Sequence, residues 1–106
     1  MKEIVVIGAG AIGLATAWRL AGRGARVRVF ERGEPGEESS GVAAGMLAVA
    51  AEADPHTLAL APFRRHCAAL YPEFARALER DSGLDVGFER LVTSQLNASQ
   101  RTHQGR

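Results

Sequence analysis

The 106-residue sequence predicts an α/β protein organised on one β-α-β unit and continued by helices. Three observations carry that prediction. The β-branched run Ile4-Val5-Val6-Ile7 opens the chain, a segment rich in Ala, Leu and Arg follows from Leu14 to Arg23, and the alternating segment Arg26-Val27-Arg28-Val29-Phe30 comes next. An unbroken apolar run suits a strand buried on both faces of a parallel sheet, because a half-exposed strand alternates. Ala, Leu and Arg favour a helix, and Gly24 marks its end, since glycine closes a helix in the left-handed conformation without steric cost. The second strand closes at Glu31.

Length and charge narrow the class. A chain of 106 residues has room for one small domain, and at that size folding buries only about 60% of the extended-chain surface. Thirteen basic side chains against 12 acidic ones give a net charge of +1, with the basic residues spread from Lys2 to Arg106. No basic patch forms, which argues against nucleic acid as a partner. The single cysteine, Cys67, cannot pair within the chain. Its apolar neighbours make it a core position, and the low cysteine usage fits a reducing, cytoplasmic location. Lys2 before the apolar run Ile4 to Trp18 has the outline of a signal peptide, yet the run holds three glycines and no A-x-A site. It is also shorter than the roughly 20 residues of a membrane helix, so no membrane partner is expected.

Between the first strand and the helix lies Gly8-Ala9-Gly10-Ala11-Ile12-Gly13, the fingerprint of a Rossmann-like dinucleotide site. Gly8 allows the sharp turn out of the strand. Gly10 leaves the backbone open to a pyrophosphate, and Gly13 lets helix and sheet pack closely. The helix start near Ala11 and Ile12 offers unpaired N–H groups and a positive dipole end to an anion. Glu31 follows Gly13 by 31 − 13 = 18 residues, close to the spacing of about 20 for the acid that accepts hydrogen bonds from an adenosine ribose. A carboxylate there repels a 2′-phosphate. These residues alone leave open whether the dinucleotide is FAD or NAD.

A polar loop with Gly33, Pro35 and Gly36 follows, and then SSGVAAGML from Ser39 to Leu47, in which seven of nine residues are Ser, Gly, Ala or Val. In a plain NAD domain another βα unit is expected here. Ser39 and Ser40 instead offer hydroxyls and a helix N-cap, while Ala43, Ala44 and Gly45 let a helix N-terminus lie against a second part of the pyrophosphate or a flat ring.

The segments GAGAIG, VRVFERG, SSGVAAGMLAVAAEAD with its acidic Glu52, and LYPEFARALERDSGLDVGFER together resemble the amino-terminal part of the FAD-dependent D-amino-acid oxidase family, its glycine oxidase branch of thiamine biosynthesis in particular. The resemblance covers roughly residues 1 to 90. It implies a partial Rossmann-like FAD-binding domain with the substrate domain missing. It also implies that Ala11 and Ile12 contact the FAD diphosphate, that Glu31 holds the ribose and that Arg32 lies beside the adenosine. Ser39 and Ser40 would contact the phosphate and ribityl region, and Ala44, Gly45 and Met46 would lie beside the flavin. For a complete enzyme it implies a small amino acid or amine as substrate, with hydride transfer from the amino-acid Cα to flavin N5, reoxidation by oxygen to hydrogen peroxide and hydrolysis of the imine to oxo acid and ammonia. Two other readings stand beside it: a non-catalytic remnant that binds FAD or an adenine nucleotide, and a fragment of an NAD-linked dehydrogenase, which SSGVAAGML disfavours.

Downstream, Asp54-Pro55 is a helix start with Asp as N-cap and Pro at the first helical position, while Pro62 and Pro72 are expected to break or kink the chain beyond it. Phe63, Cys67, Leu70, Tyr71, Phe74 and Leu78 recur at spacings of three and four and form one stripe expected to be buried. His56 and His66 lack acidic partners at ligand spacing and are not read as a metal pair. From Leu91 to Arg106 the chain departs from the family pattern. Val92, Leu96 and Ala98 are the apolar residues of VTSQLNASQRTHQGR, too few to bury, so a disordered tail is expected. The abrupt change near Leu91 is the signature expected of a frameshift or truncation. Two strands with open edges are expected to make the chain prone to associate.

Overall fold

The computed structural model describes residues 1–47 and 58–89, in two units, Met1–Gly45 and a second beginning at Met46. The first unit contains strand β1 (Glu3–Ile7), helix α1 (Ala11–Ala21), strand β2 (Arg26–Phe30) and a single helical turn, α2 (Ser39–Val42). The second contains a 3-10 turn (Leu58–Leu60) running into helix α3 (Ala61–Ser82). The helix start at Asp54-Pro55, Glu52, His56 and the segment from Leu91 lie outside the described residues.

Strands β1 and β2 pair in parallel, Glu3 opposite Arg26 and Ile7 opposite Phe30, with α1 as the crossover. This is the β-α-β unit that the sequence predicts. Helix α1 packs on the face that carries Ile4, Val6 and Val27, which are half-buried. The opposite face is different. Val5 is 55% and Ile7 87% exposed, so the first strand is not buried on both faces as its apolar run predicts. Of the described elements in this unit, α1 makes the main packing contact with the sheet.

Helix α1 starts three residues before the predicted Leu14, because the carbonyl of extended Gly10 already accepts from the Leu14 amide at 2.9 Å. It ends at Ala21, after which the amides of Arg23 and Gly24 turn back onto the carbonyls of Leu20 and Ala21. Gly24, at φ 84°, redirects the chain into β2. Helix α2 also differs from expectation. It occupies Ser39–Val42, with Glu38 rather than a serine in the capping position, and the chain becomes extended at Ala43. Ala43, Ala44 and Gly45 therefore follow a helix and do not begin one.

Helix α3 runs unbroken through Pro72, so of the expected break or kink the break does not occur. Pro62 falls in the first turn, where a missing N–H costs nothing, and at Pro72 only the Ala68 carbonyl loses its intrahelical donor. The predicted stripe is half-buried only at Tyr71, Phe74 and Leu78, around Ala75 at 2% exposure. Phe63, Cys67 and Leu70 are exposed, which overturns the core assignment for Cys67. The reason is where the chain returns. Phe88 folds back against Tyr71 with ring centroids 5.1 Å apart and planes tilted by 55°, covering the stripe at that point. Gly83 closes the helix at φ 72°, its amide 2.8 Å from the Glu79 carbonyl, and the Glu79 carboxylate accepts from the Val86 amide at 3.2 Å. No described helix is long and apolar enough to cross a membrane.

Candidate cofactor site

The site is built where β1 and β2 end. The Gly8 amide donates to the Phe30 carbonyl at 2.8 Å, carrying the sheet ladder one residue beyond Ile7, and Gly8 then turns at φ 100°. A side chain at Gly13 would put its Cβ 2.1 Å from the Gly8 carbonyl oxygen and 3.5 Å from Val6. Gly13 is thus the contact that seats α1 against the end of β1. A Cβ at Gly10 would lie 3.1 Å from the Ser40 hydroxyl oxygen, so here the absent side chain makes room for the loop that arrives from β2.

That loop is tied to the glycine turn at successive points. Glu31 accepts from the Ala9 amide through Oε2 at 2.8 Å and from the Gly33 amide through Oε1 at 3.0 Å. The Gly36 amide donates to the Ala9 carbonyl at 2.9 Å. The Ser40 hydroxyl accepts from the Ala11 amide at 2.8 Å, on the first residue of α1. The Glu31 carboxyl is held below its usual range, first by the Ala9 amide and then by the Gly33 amide, since both donate to the ionised form. Arg32 turns its guanidinium to Glu38, with Nε 3.0 Å from Oε1.

Two cavities meet at this turn. One, of about 190 Å³, is lined by Glu31, Glu34, Glu37 and Glu38 together with Ser39. The other, of about 460 Å³, is lined by Ala11, Ile12, Gly13 and Thr16 and has no carboxylate on its wall. Gly8, Gly10 and Ser40 border both. The charge division sorts their chemistry. Hydroxyl groups suit the acidic cavity, which repels phosphate, and a phosphate suits the acid-free cavity at the start of α1, where amides lack intrahelical partners. The residues present therefore fit a dinucleotide whose diphosphate and ribose straddle Gly10.

Of the residues singled out in the sequence, Gly8, Gly10, Ala11, Ile12, Gly13, Glu31, Ser39 and Ser40 border one or both cavities. Arg32 pairs with Glu38 instead of lining either cavity. Ala44 and Gly45 follow α2 and are exposed. Met46 falls in the second unit, 70% exposed. Sequence reasoning missed Ala9, which is 2% exposed and bonded through both its amide and its carbonyl. Its signal was the small residue between the first two glycines. Gly36 and Glu38 were missed as well, and in a loop with several glycines and glutamates nothing local marks which ones make the contacts.

The fold and the site define an α/β protein with a β-α-β unit and a glycine turn whose cavities fit a dinucleotide. The sequence profile of the FAD dependent oxidoreductase family, DAO, matches residues 3–104. The chain belongs to this family, whose cofactor is FAD. It is similar to the glycine oxidase of Geobacillus kaustophilus, 36% identical over 80% of this chain and 22% of that protein. It is similar also to the bifunctional ThiO/ThiG protein of Trichormus variabilis, 40% identical over 82% of this chain and 13% of that protein. The D-amino-acid oxidase of Streptomyces coelicolor is 56% identical over 42% of this chain and 14% of its own length. The chain thus spans about a fifth of the length of the glycine oxidases that it matches. The matched residues of the family profile run past Leu91. No solved structure matches the chain.

Proposed function

We propose that the first unit holds the diphosphate and adenosine ribose of FAD in an enzyme that oxidises a small amino acid or amine, glycine foremost. The observation that carries this reading is the shared border of the two cavities, acid-lined on one side of Gly10 and acid-free on the other. The diphosphate takes the acid-free side against Ala11, Ile12 and Gly13, with Ser39 and Ser40 hydroxyls reaching it across the border. The ribose hydroxyls donate to Glu31, whose oxygens keep lone pairs beyond those used by Ala9 and Gly33. Ala44 and Gly45, small and exposed after α2, leave room for the flat ring.

When bound, FAD supplies the two-electron acceptor for the amine. The residues of this site bind and orient it. Among the described residues neither cavity is lined by an Arg or Lys, and the groups that do line them suit cofactor binding, so turnover is not assigned to this site. The 106-residue chain is accordingly proposed to form no peroxide from glycine. Cytoplasmic location and association through the edges of the two-stranded sheet of the described residues belong to the same reading.

Titration of the purified chain with FAD, followed by flavin fluorescence and the visible absorption band, tests the assignment. Saturable binding with a spectral shift is expected, with NAD as the control. Saturable binding of NAD without FAD binding would reject it. Peroxide produced from glycine by the chain alone would refute the division between binding and turnover.

A further inference from the structure

We infer that Arg32 and Glu38 are a positioning pair, which sets the Ser40 hydroxyl on the first amide of α1 and so completes the wall shared by the two cavities. The inference deepens the FAD-binding reading and rests on it.

Loop geometry carries it. Arg32 is the first residue after Glu31, and Glu38 immediately precedes α2. Both Nε and Nη2 of Arg32 bond to the same oxygen of Glu38, Oε1, which closes the loop at its two ends. A short acid such as Asp in that position ordinarily bonds the free amides of its own helix, whereas the longer Glu side chain is free to reach elsewhere. Glu38 makes no such bond, and Arg32 takes the carboxylate instead. Two residues on, the Ser40 hydroxyl oxygen sits 2.8 Å from the Ala11 amide nitrogen. The middle of the loop is pinned by the Gly36 amide on the Ala9 carbonyl, and Gly41 passes so close that a Cβ there would lie 2.6 Å from the Gly36 carbonyl oxygen.

The placement of Ser40 matters because a hydroxyl donates and accepts at once. By accepting from Ala11 it leaves its own proton for an oxygen in the acid-free cavity, which extends the reach of the helix terminus by one hydrogen bond. Without the ion pair, the stretch from Gly36 to Ser40 gains freedom and the hydroxyl leaves Ala11 part of the time. Both partners are well exposed, 83% and 68% by side chain, so the effect is modest and screened by salt.

The test uses the full chain and the variants Arg32→Met, Glu38→Gln and the exchange Arg32→Glu with Glu38→Arg. Hydrogen exchange of the Ala11 amide is read by NMR without nucleotide, and FAD affinity is read at low and high salt. Each single variant is expected to speed Ala11 exchange and, at low salt, to weaken FAD roughly two- to fivefold, the scale of one exposed ion pair. The affinity difference should vanish at high salt, and the exchanged pair should restore both readings. Unchanged Ala11 exchange in both single variants, or an exchanged pair that restores nothing, overturns the proposal. So does a loss of FAD affinity confined to Arg32→Met, which would mark a direct contact of Arg32 with the adenosine. If FAD fails to bind the unaltered chain, the cofactor reading fails, while Ala11 exchange still decides whether the pair positions Ser40.

Discussion

The amide of Ala9 donates to the carboxylate of Glu31 across 22 residues of sequence, at 2.8 Å. Through that bond the turn after β1 aims the acid at the end of β2, and the acid in turn fixes the turn. Ala9 is almost fully buried, so its amide has little access to water and depends on this partner.

Glu31→Gln is expected to weaken FAD roughly tenfold or more, the scale of losing one charge-assisted hydrogen bond. The amide can accept through one oxygen only, so Ala9 and Gly33 compete for it while the ribose hydroxyls lose an ionised acceptor. Fluorescence titration of variant and parent under the same buffer measures the ratio. Equal affinities would remove Glu31 from the cofactor site.

The same two amides make stability depend on acid. Because Ala9 first and Gly33 next hold the folded Glu31 carboxyl below its ordinary value, the ionised form is favoured by folding. The contribution is complete above the ordinary value of about 4.3 and is lost as the pH falls through the lowered folded value. Thermal melts of parent and Glu31→Gln from neutral pH downward should converge in acid. A gap that widens in acid would reverse the sign.

One chemical change made at two glycines separates close packing from backbone freedom. Gly13→Ala puts a Cβ 2.1 Å from the Gly8 carbonyl oxygen, and a cost of about 1–3 kcal/mol is expected from the forced shift. Gly22→Ala meets nothing nearer than 3.5 Å, at a helical φ of −63°, and should be neutral or stabilising by up to about 1 kcal/mol. Urea denaturation of the two variants measures the contrast. Similar losses at both would show that Gly13 does not seat the helix.

In the second unit, Gly83→Ala tests the end of α3. Space is open around it, yet φ is 72°, so the cost is one of left-handed backbone alone, about 1–2 kcal/mol. Circular dichroism should show a lower melting temperature of the helix signal, and an unchanged melt would remove Gly83 as the helix stop.

The strands were legible nearly to the residue, because a β-branched run and a strict alternation are local signals. Strand β2 falls on the predicted Arg26–Phe30 and β1 gains only Glu3. The start of α1 was harder, since the Gly10 carbonyl sets it and composition does not report where that carbonyl points. Periodicity marked the stripe on α3 without saying that Phe88 would cover Tyr71 and leave Cys67 open. In the site, spacing exposed the glycines and Glu31. The Arg32–Glu38 pair stayed hidden, because charges in a polar loop look alike until the loop closes.

The register that sets Glu3 beside Arg26 joins residues only 26 − 3 = 23 apart. Every tether of the cofactor crevice, up to Ser40 on Ala11, likewise lies within the first unit. The Ala9–Glu31 and Ala11–Ser40 tethers close loops across separations of 22 and 29 residues, and both hold the same crevice together. The crevice is thus written in the first stretch of the chain, and no hydrogen bond described in it reaches a residue beyond Gly45.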